Sequence, residues 1–360
     1  MKKTKTDISS QTLPLLQRND LQGLDFHEKL RQLPKIDLHR HMEGSLRLET
    51  LAEVAHEHGV NLPSYNIEEL RPYVQFTDDV PDFYNFLGKM ELLRQFYSAG
   101  EAVERIAYEA VADAAHDNIQ YLELRVSPAG KKIRPEEVMR NVTTAVEKAI
   151  KEYPIQVRLL ITIVREFGVK VAEEILELAL AYQEQGVVGL DLAGHEETHS
   201  ALPFADIFHK AHKAGLGVTI HAGEVGDATN VRQAVEVLGA HRIGHGVRAI
   251  EDHRVVRLLR ERNVALEVCP TSNLQTGVTR AFAQHPMRDL YHLAVPVTIN
   301  TDDPSISDTT LTDEYLVVVL GMGLAVRDIQ QMILNAAQAA FLPPDEKQAL
   351  IQQFQGYFGL

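Results

Sequence analysis

Eight short apolar or β-branched runs recur along this chain, and helical stretches separate most of them. The runs are Ile36–His41, Gln120–Val126, Gln156–Val164, Val187–Ala193, Gly217–His221, Arg242–His245, Val264–Val268 and Val295–Asn300. Between them lie Pro135–Lys151, Val171–Gln185, Phe204–Lys213, Thr229–Leu238 and Asp252–Arg262, whose apolar groups recur at helical spacing. Strands that alternate with helices build a parallel sheet, and eight such units predict a closed (β/α)8 barrel of the TIM type. An open doubly wound sheet is the competing architecture. It needs a Gly-rich phosphate turn after the first strand, which this chain does not carry. A mostly helical insertion, Leu46 to Asn118, follows the first strand, and Leu311 to Leu360 reads as extra helices on the outside. Residues 1–24 are polar and irregular and are expected to form a flexible arm. Residues 25–360 are expected to form one domain, with a short helix over Asp25–Leu33 that Pro34 stops.

Charge and cysteine usage narrow the function classes. Asp and Glu outnumber Lys and Arg by 50 to 36, and the net charge of −14 argues against a nucleic-acid or anionic-membrane partner. A small nucleotide-like ligand stays compatible with it. One cysteine, Cys269, rules out an intrachain disulfide, and its apolar surroundings predict a buried, inert thiol. The lysines near the N-terminus have no apolar run behind them, and no run approaches membrane-spanning length, so a cytoplasmic location is expected.

In a barrel of this kind the chemistry sits where strands end at the C-terminal face. Those ends carry His39 and His41, Glu123 to Ser127, Arg165, Asp191 to Gly194, His221 with Glu224, His245, and Asp302 with Asp303. His39 and His41 stand at i and i+2, so on a strand both imidazoles point to one face, as a divalent metal requires. Two ordinary surface histidines are the bland alternative in a chain with 16. In Gly217-Val218-Thr219-Ile220-His221-Ala222-Gly223-Glu224, a buried strand runs into a His, two small residues and a carboxylate able to move a proton. Its bland alternative is a core His followed by a helix-starting Glu.

Histidines gathered at separate strand ends with a nearby carboxylate suit a zinc shell with one open position. Barrel hydrolases with two ions often bridge them with a modified lysine at the end of strand four. That strand ends here in Leu190-Asp191-Leu192-Ala193-Gly194, so one ion is expected. Of the adjacent carboxylates Asp302 and Asp303, one can bind metal while the other faces a ligand or caps a helix before Pro304. His245, between Gly244 and Gly246, can hold the attacking water or serve as a fourth His ligand. Phe83, Phe86 and Met90 lie at helical spacing in the insertion, either as plain core or as a lid over the ligand.

With those residues in place, the chain resembles the adenosine deaminase family of metal-dependent hydrolases over about residues 34 to 342. The ordered matches are His39-x-His41-x-x-Gly44, Tyr121 to Pro128, Asp191 to Gly194, His221 to Glu224, Gly244-His245-Gly246, Cys269 to Asn273, Asn300 to Pro304, and Asn335-Ala336-Ala337. The resemblance implies one zinc per chain, held by His39, His41, His221 and Asp302. It implies that His245 and Asp302 orient the attacking hydroxide and that Glu224 protonates the purine ring nitrogen beside the reacting carbon. Asp303 is implied as the contact to the imidazole-ring side of the purine, and the Gly194 N–H as the contact to the far pyrimidine nitrogen. Glu43 is implied to reach the sugar side.

The family's usual residue at position 43, among members acting on adenosine, is Asp. Glu43 resembles the branch acting on free adenine, whereas Asp191-Leu-Ala-Gly resembles the adenosine branch. The expected ligand is therefore a small purine nucleoside or base. Adenosine or deoxyadenosine is favoured, with adenine and aminodeoxyfutalosine as the alternatives. A non-catalytic purine-binding protein on the same scaffold would be expected to lack catalytic groups, and all are present here. A metal phosphoesterase would be expected to show a Lys or Arg cluster at the rim, which is mainly acidic.

Overall fold

All eight expected strands form, and they pair in sequence order, every pair parallel. The structure, a computed structural model, describes residues 20–77, 79–97, 99–130 and 132–360. The strands are β1 (Lys35–His41), β2 (Ile119–Val126), β3 (Gln156–Val164), β4 (Val187–Ala193), β5 (Gly217–Ala222), β6 (Arg242–His245), β7 (Ala265–Val268) and β8 (Val297–Ile299). Nearly every strand residue is buried, as expected of a parallel sheet covered on both faces.

The seam between β8 and β1 turns the sheet into a nearly closed barrel. It is made beyond the short last strand: His41 N–H donates to the Asp302 carbonyl at 2.8 Å, and Asp302 N–H to the His39 carbonyl at 2.8 Å. The expected strand from Val295 to Asn300 is trimmed to three residues. Pro296 has no N–H to give a ladder, and the Asn300 side chain, not its backbone, accepts the Leu38 N–H at 3.0 Å.

The helices in chain order are α1 (Asp20–Gln32), α2 (Leu48–His58), α3 (Ile67–Val74), α4 (Phe83–Arg94), α5 (Gly100–His116), α6 (Pro135–Glu152), α7 (Gly168–Ala181), α8 (Ala205–Lys213), α9 (Ala228–Glu236), α10 (His253–Glu261), α11 (Pro270–Gln275), α12 (Met287–His292), α13 (Pro304–Ser307), α14 (Leu311–Leu316), α15 (Val326–Ala339) and α16 (Pro344–Phe358). The arm expected over residues 1–24 lies outside the described residues as far as 19. From Asp20 the backbone is already helical, a start that Gly23 masks from a propensity reading. The insertion after β1 supplies α2 to α5. Asp82 caps α4 by accepting from Tyr84 N–H and Asn85 N–H at 2.9 and 3.2 Å. Asp82 N–H in turn donates to the Gln275 carbonyl at 2.9 Å, and Phe76 N–H to the Ile306 carbonyl at 2.7 Å. These two bonds tie the insertion to the C-terminal rim of the barrel.

Below the rim the barrel interior is ionic. Arg125 lies between Asp191, at 3.2 Å, and Glu267, while Arg242 lies between Glu267, at 2.5 Å, and Glu123. All five side chains are fully or almost fully buried. Charges withdrawn from water this far are tolerable only when each is paired, and here every one is. Glu123, Arg125 and Asp191, expected at the rim, lie in this layer below it, because their side chains turn inward to pair with one another's charges and with Arg242 and Glu267.

Candidate active site

The strand ends bring the expected histidines together. His39 and His41 leave β1 side by side, His221 leaves β5 and His245 leaves β6, and their ring centroids lie 4.6–5.3 Å apart wherever they pair. Asp302 reaches them from the turn after β8. Its Oδ1 is 3.2 Å from His39 Nε2 and 3.4 Å from His41 Nε2. His41 Nε2 is 3.3 Å from His221 Nε2.

The layer beneath fixes the tautomers. His39 Nδ1 pairs with Glu267 Oε2 at 2.9 Å, and His221 Nδ1 with Asp191 Oδ1 at 3.0 Å. A ring that donates its Nδ1 proton to a carboxylate presents a bare Nε2, which is how carboxylates orient metal-binding imidazoles. His39 Nε2, buried and without a hydrogen-bond partner, thus faces Asp302 Oδ1 at 3.2 Å, and His221 Nε2 faces His41 Nε2 at 3.3 Å. A proton or a metal ion between these atoms relieves the crowding, and imidazole nitrogens converging with a carboxylate are a donor set that fits a divalent metal. Asp191 sits on the Nδ1 side of the His221 ring and supports it there, although it also lies close enough to His41 and His221 to form a second possible donor group.

His245 is close enough to join the group, since its ligand atom and those of His39, His221 and Asp302 all lie within 4.8 Å of one another. Its own contacts favour the other role. The Asn273 amide lies 3.2 Å from His245 Nδ1, and with the amide nitrogen donating, the ring proton is on Nε2. That Nε2 faces Glu224 Oε2 at 3.6 Å. Burial, with the charges around His39 and His221, holds this imidazole neutral.

Backbone strain marks the same residues. His245 and Asp302 adopt φ of +58° and +63°, a left-handed conformation that costs a non-glycine residue about a kcal/mol or more and that clusters at functional sites. Gly44 is required for a different reason: a Cβ there would lie 1.9 Å from Asp303 Oδ1.

Glu224 is buried, and its carboxyl is pushed well above the usual range, first by loss of solvation and then by the charges of Asp302 and Glu196. Asp303 is also raised, by burial and then by Asp302, Glu43 and Glu224, and its buried Oδ1 has no hydrogen-bond partner. It precedes α13 but makes no cap hydrogen bond, so the helix-cap alternative for Asp303 is not what the structure shows. Asp302 goes the other way. Burial would raise it, but its histidine neighbours outweigh burial and keep it ionised.

A cavity of about 320 Å³ opens above this group. Its walls include His41, Glu43, Gly194, Glu224, His245 and both aspartates, with Phe83, Phe86 and Met90 of α4 across from them. Every expected site residue except His39 lines the cavity, and His39 lies directly beneath. Phe86 and Met90 are buried in the core and also line the cavity. Glu43 is partly engaged already: its Oε1 accepts the Ser127 N–H at 3.0 Å.

Several participants carried no signal in the sequence. Glu196 accepts N–H groups from Gly223, Glu224 and Gly226 at 2.9, 2.8 and 2.7 Å and so shapes the loop that presents Glu224. Glu166 accepts the His195 N–H at 2.8 Å and leaves no room for a Cβ at Gly194. Arg165, expected at the rim, donates to the His199 carbonyl at 3.0 Å and the His221 carbonyl at 2.5 Å, and so acts as a brace. Cys269 is buried and its thiol is pushed up by burial, as expected of an inert one.

Comparison with known proteins gives consistent matches. The adenosine deaminase family model matches residues 34–357. An adenosine deaminase of Clostridium botulinum is 36% identical over 323 residues, covering 89% of this chain and 96% of its own length. Among solved structures, an adenine deaminase from Arthrobacter aurescens superposes with a TM-score of 0.84 at 25% identity, covering 91% of this chain and 100% of its own. Arabidopsis ADAL in complex with IMP gives 0.82 at 28% identity, covering 91% and 98%. A zinc-bound amidohydrolase from Burkholderia ambifaria gives 0.84 at 25% identity, covering 92% and 93%.

Proposed function

This chain belongs to the adenosine deaminase family, and from that premise we propose that it hydrolytically deaminates an adenine nucleoside. In this reading adenosine or deoxyadenosine and water become inosine or deoxyinosine and ammonia, with one zinc per chain. His39, His41, His221 and Asp302 hold the metal, which when bound lowers the pKa of water toward neutrality. The observation that carries the reading is the pairing, across one cavity, of that bare-nitrogen cluster with a buried carboxyl kept protonated.

The remaining residues divide the work. An aromatic carbon bearing an amino group resists water because the ring cannot accept the incoming electron pair. Glu224 donates its proton to the adjacent ring nitrogen, so the pair has a place to go as the oxygen adds. The His245 Nε2–H and the ionised Asp302 hold the oxygen nucleophile against that carbon. Of the two protons the water brings, one returns to Glu224 and the other passes to the amino group, whose carbon–nitrogen bond breaks as the added oxygen becomes a carbonyl, and ammonia leaves. Asp303, whose carboxyl is raised by burial and then by its carboxylate neighbours, donates in its protonated form to an acceptor nitrogen on the imidazole-ring side, and the Gly194 N–H meets the far pyrimidine nitrogen. Phe86 and Met90 close over the base and exclude water.

Two features favour a nucleoside over a nucleotide. Glu43, Glu91, Glu166 and Asp302 line the cavity as carboxylates, with the protonated Glu224 and Asp303 beside them, against a single arginine among the described residues, Arg94. Glu91 stands 4.0 Å from that arginine. A 5′-phosphate brought into such a rim meets several kcal/mol of repulsion in a poorly solvated space. Adenine remains the second substrate, because Glu43 is longer than the aspartate usual in members acting on adenosine and the adenine deaminase of A. aurescens shares the fold. Ammonia release from adenine, adenosine, deoxyadenosine, AMP and aminodeoxyfutalosine decides among them. Adenosine or deoxyadenosine is expected to lead, and a preference for AMP would defeat the charge argument.

A further inference from the structure

The N-terminal end of the barrel, opposite the candidate active site, holds a second and larger cavity of about 860 Å³. It opens beneath the starts of β4 to β8 and is walled on its outer side by Phe341 and the first turn of α16. Its volume is within the range of small-molecule sites, roughly 300–1,000 Å³.

Its charge is out of keeping with the rest of the molecule. The chain has a net charge of −14, yet no Asp or Glu among the described residues lines this cavity. The ionisable groups that do are His212, His241, Arg262 and Lys347. Among the described residues neither Arg262 nor Lys347 has a carboxylate within 4.0 Å. Glu346, beside Lys347 in sequence, pairs instead with Arg158 at 2.6 Å.

The donors at the cavity are also arranged. The Val218 N–H donates to His241 Nδ1 at 2.9 Å, which leaves the ring proton on Nε2. His212 packs against the same ring at 4.7 Å between centroids. Arg242, whose guanidinium stacks on Phe341 at 3.6 Å, lies behind this wall with its charge already matched by Glu123 and Glu267, so among the described residues the free cations at the cavity are Arg262 and Lys347. Crowding of cations shows in their proton affinities. Lys347 is lowered by burial and then by Arg242, with Glu123 behind the wall opposing the shift, and His241 is held to about 4 by burial and then by His212, Arg242 and Lys347. The N-terminus of α16, the positive end of a 15-residue helix, points at the same space through Pro343, Pro344 and Lys347.

We propose that this floor cavity binds a small phosphate-bearing anion, held by Arg262, Lys347 and the His241 Nε2–H. It is distinct from the catalytic cavity, which carboxylates line. The proposal does not depend on which purine the enzyme deaminates.

Tripolyphosphate, which has charge but no base, is the probe. It is titrated calorimetrically into the full-length protein at fixed ionic strength, with bound metal measured before and after to separate metal extraction from binding. One saturable site per chain is expected, with affinity falling as chloride rises. The Arg262→Ala/Lys347→Ala variant, altered only at side chains reaching solvent, is expected to bind at least about tenfold more weakly, the size for one lost charged hydrogen bond. A titration without saturable heat would overturn the proposal, and so would equal affinity in the double variant.

Discussion

Glu196 offers a direct test of how the catalytic loop is held. Its carboxylate takes three backbone N–H groups, two on Oε1 from Glu224 and Gly226 and one on Oε2 from Gly223. The side chain is 4% exposed, so water does not replace it cheaply. Glu196→Ala strands three buried donors at about 1–3 kcal/mol each, which puts the cost at about 3 kcal/mol or more. That cost falls on a short loop, so it should appear as local opening: amides at Gly223, Glu224 and Gly226 should exchange hydrogen roughly a hundredfold faster. Glu196→Gln keeps an oxygen toward Glu224 and Gly226 but turns its amide toward the Gly223 donor. It should lose about 1.5–3 kcal/mol, the range for a charged hydrogen bond. The variants also carry a pH signature. The Glu196 charge helps raise the Glu224 carboxyl, and in the proposed mechanism Glu224 acts while protonated, so activity should fall as pH rises through its pKa. Removing the charge lowers that pKa and moves the alkaline limb toward acid. Exchange rates in Glu196→Ala within about threefold of wild type, or a limb that moves toward alkali, would refute the argument.

Glu224→Gln should retain metal and purine binding yet lose about two to four orders of magnitude in rate, the range for general acid catalysis; a variant within a few-fold of wild type takes Glu224 out of the mechanism. Elemental analysis should find about one zinc per chain, with activity lost on chelation and restored by metal, whereas full activity in verified metal-free protein would sink the scheme. Glu43→Ala should cost adenosine turnover about 1–3 kcal/mol through a lost charged hydrogen bond and leave adenine turnover nearly unchanged; an equal loss on both substrates would instead point to the Ser127 contact, at 3.0 Å, as the residue's main duty. A ligand-bound structure should show Phe86 or Met90 against the purine or sugar, and neither being near would reduce α4 to plain packing.

Periodicity and end chemistry were enough to read the barrel and most of its rim from the amino-acid order. Period-two alternation at Ile36–His41 and the apolar runs that follow it are local properties, and burial on both faces leaves a parallel strand little choice. His39, His41, His221, His245, Glu224 and the Asp302–Asp303 pair were legible for the same reason: each stands at or just past the end of a run that had to be a strand. The seam was not legible, because Asn300 closes it with a side chain that looks like one more strand residue. Nor were the tautomers. Glu267 and Asp191 reach their histidines across 228 and 30 residues of sequence, and only the folded barrel brings them within hydrogen-bond range. Glu196 was silent because a carboxylate that serves backbone N–H groups leaves no pattern in its own neighbours. Strand placement follows from short-range alternation of side chains. The charge state of each site residue depends on which groups the fold buries beside it, and that was decided only in three dimensions.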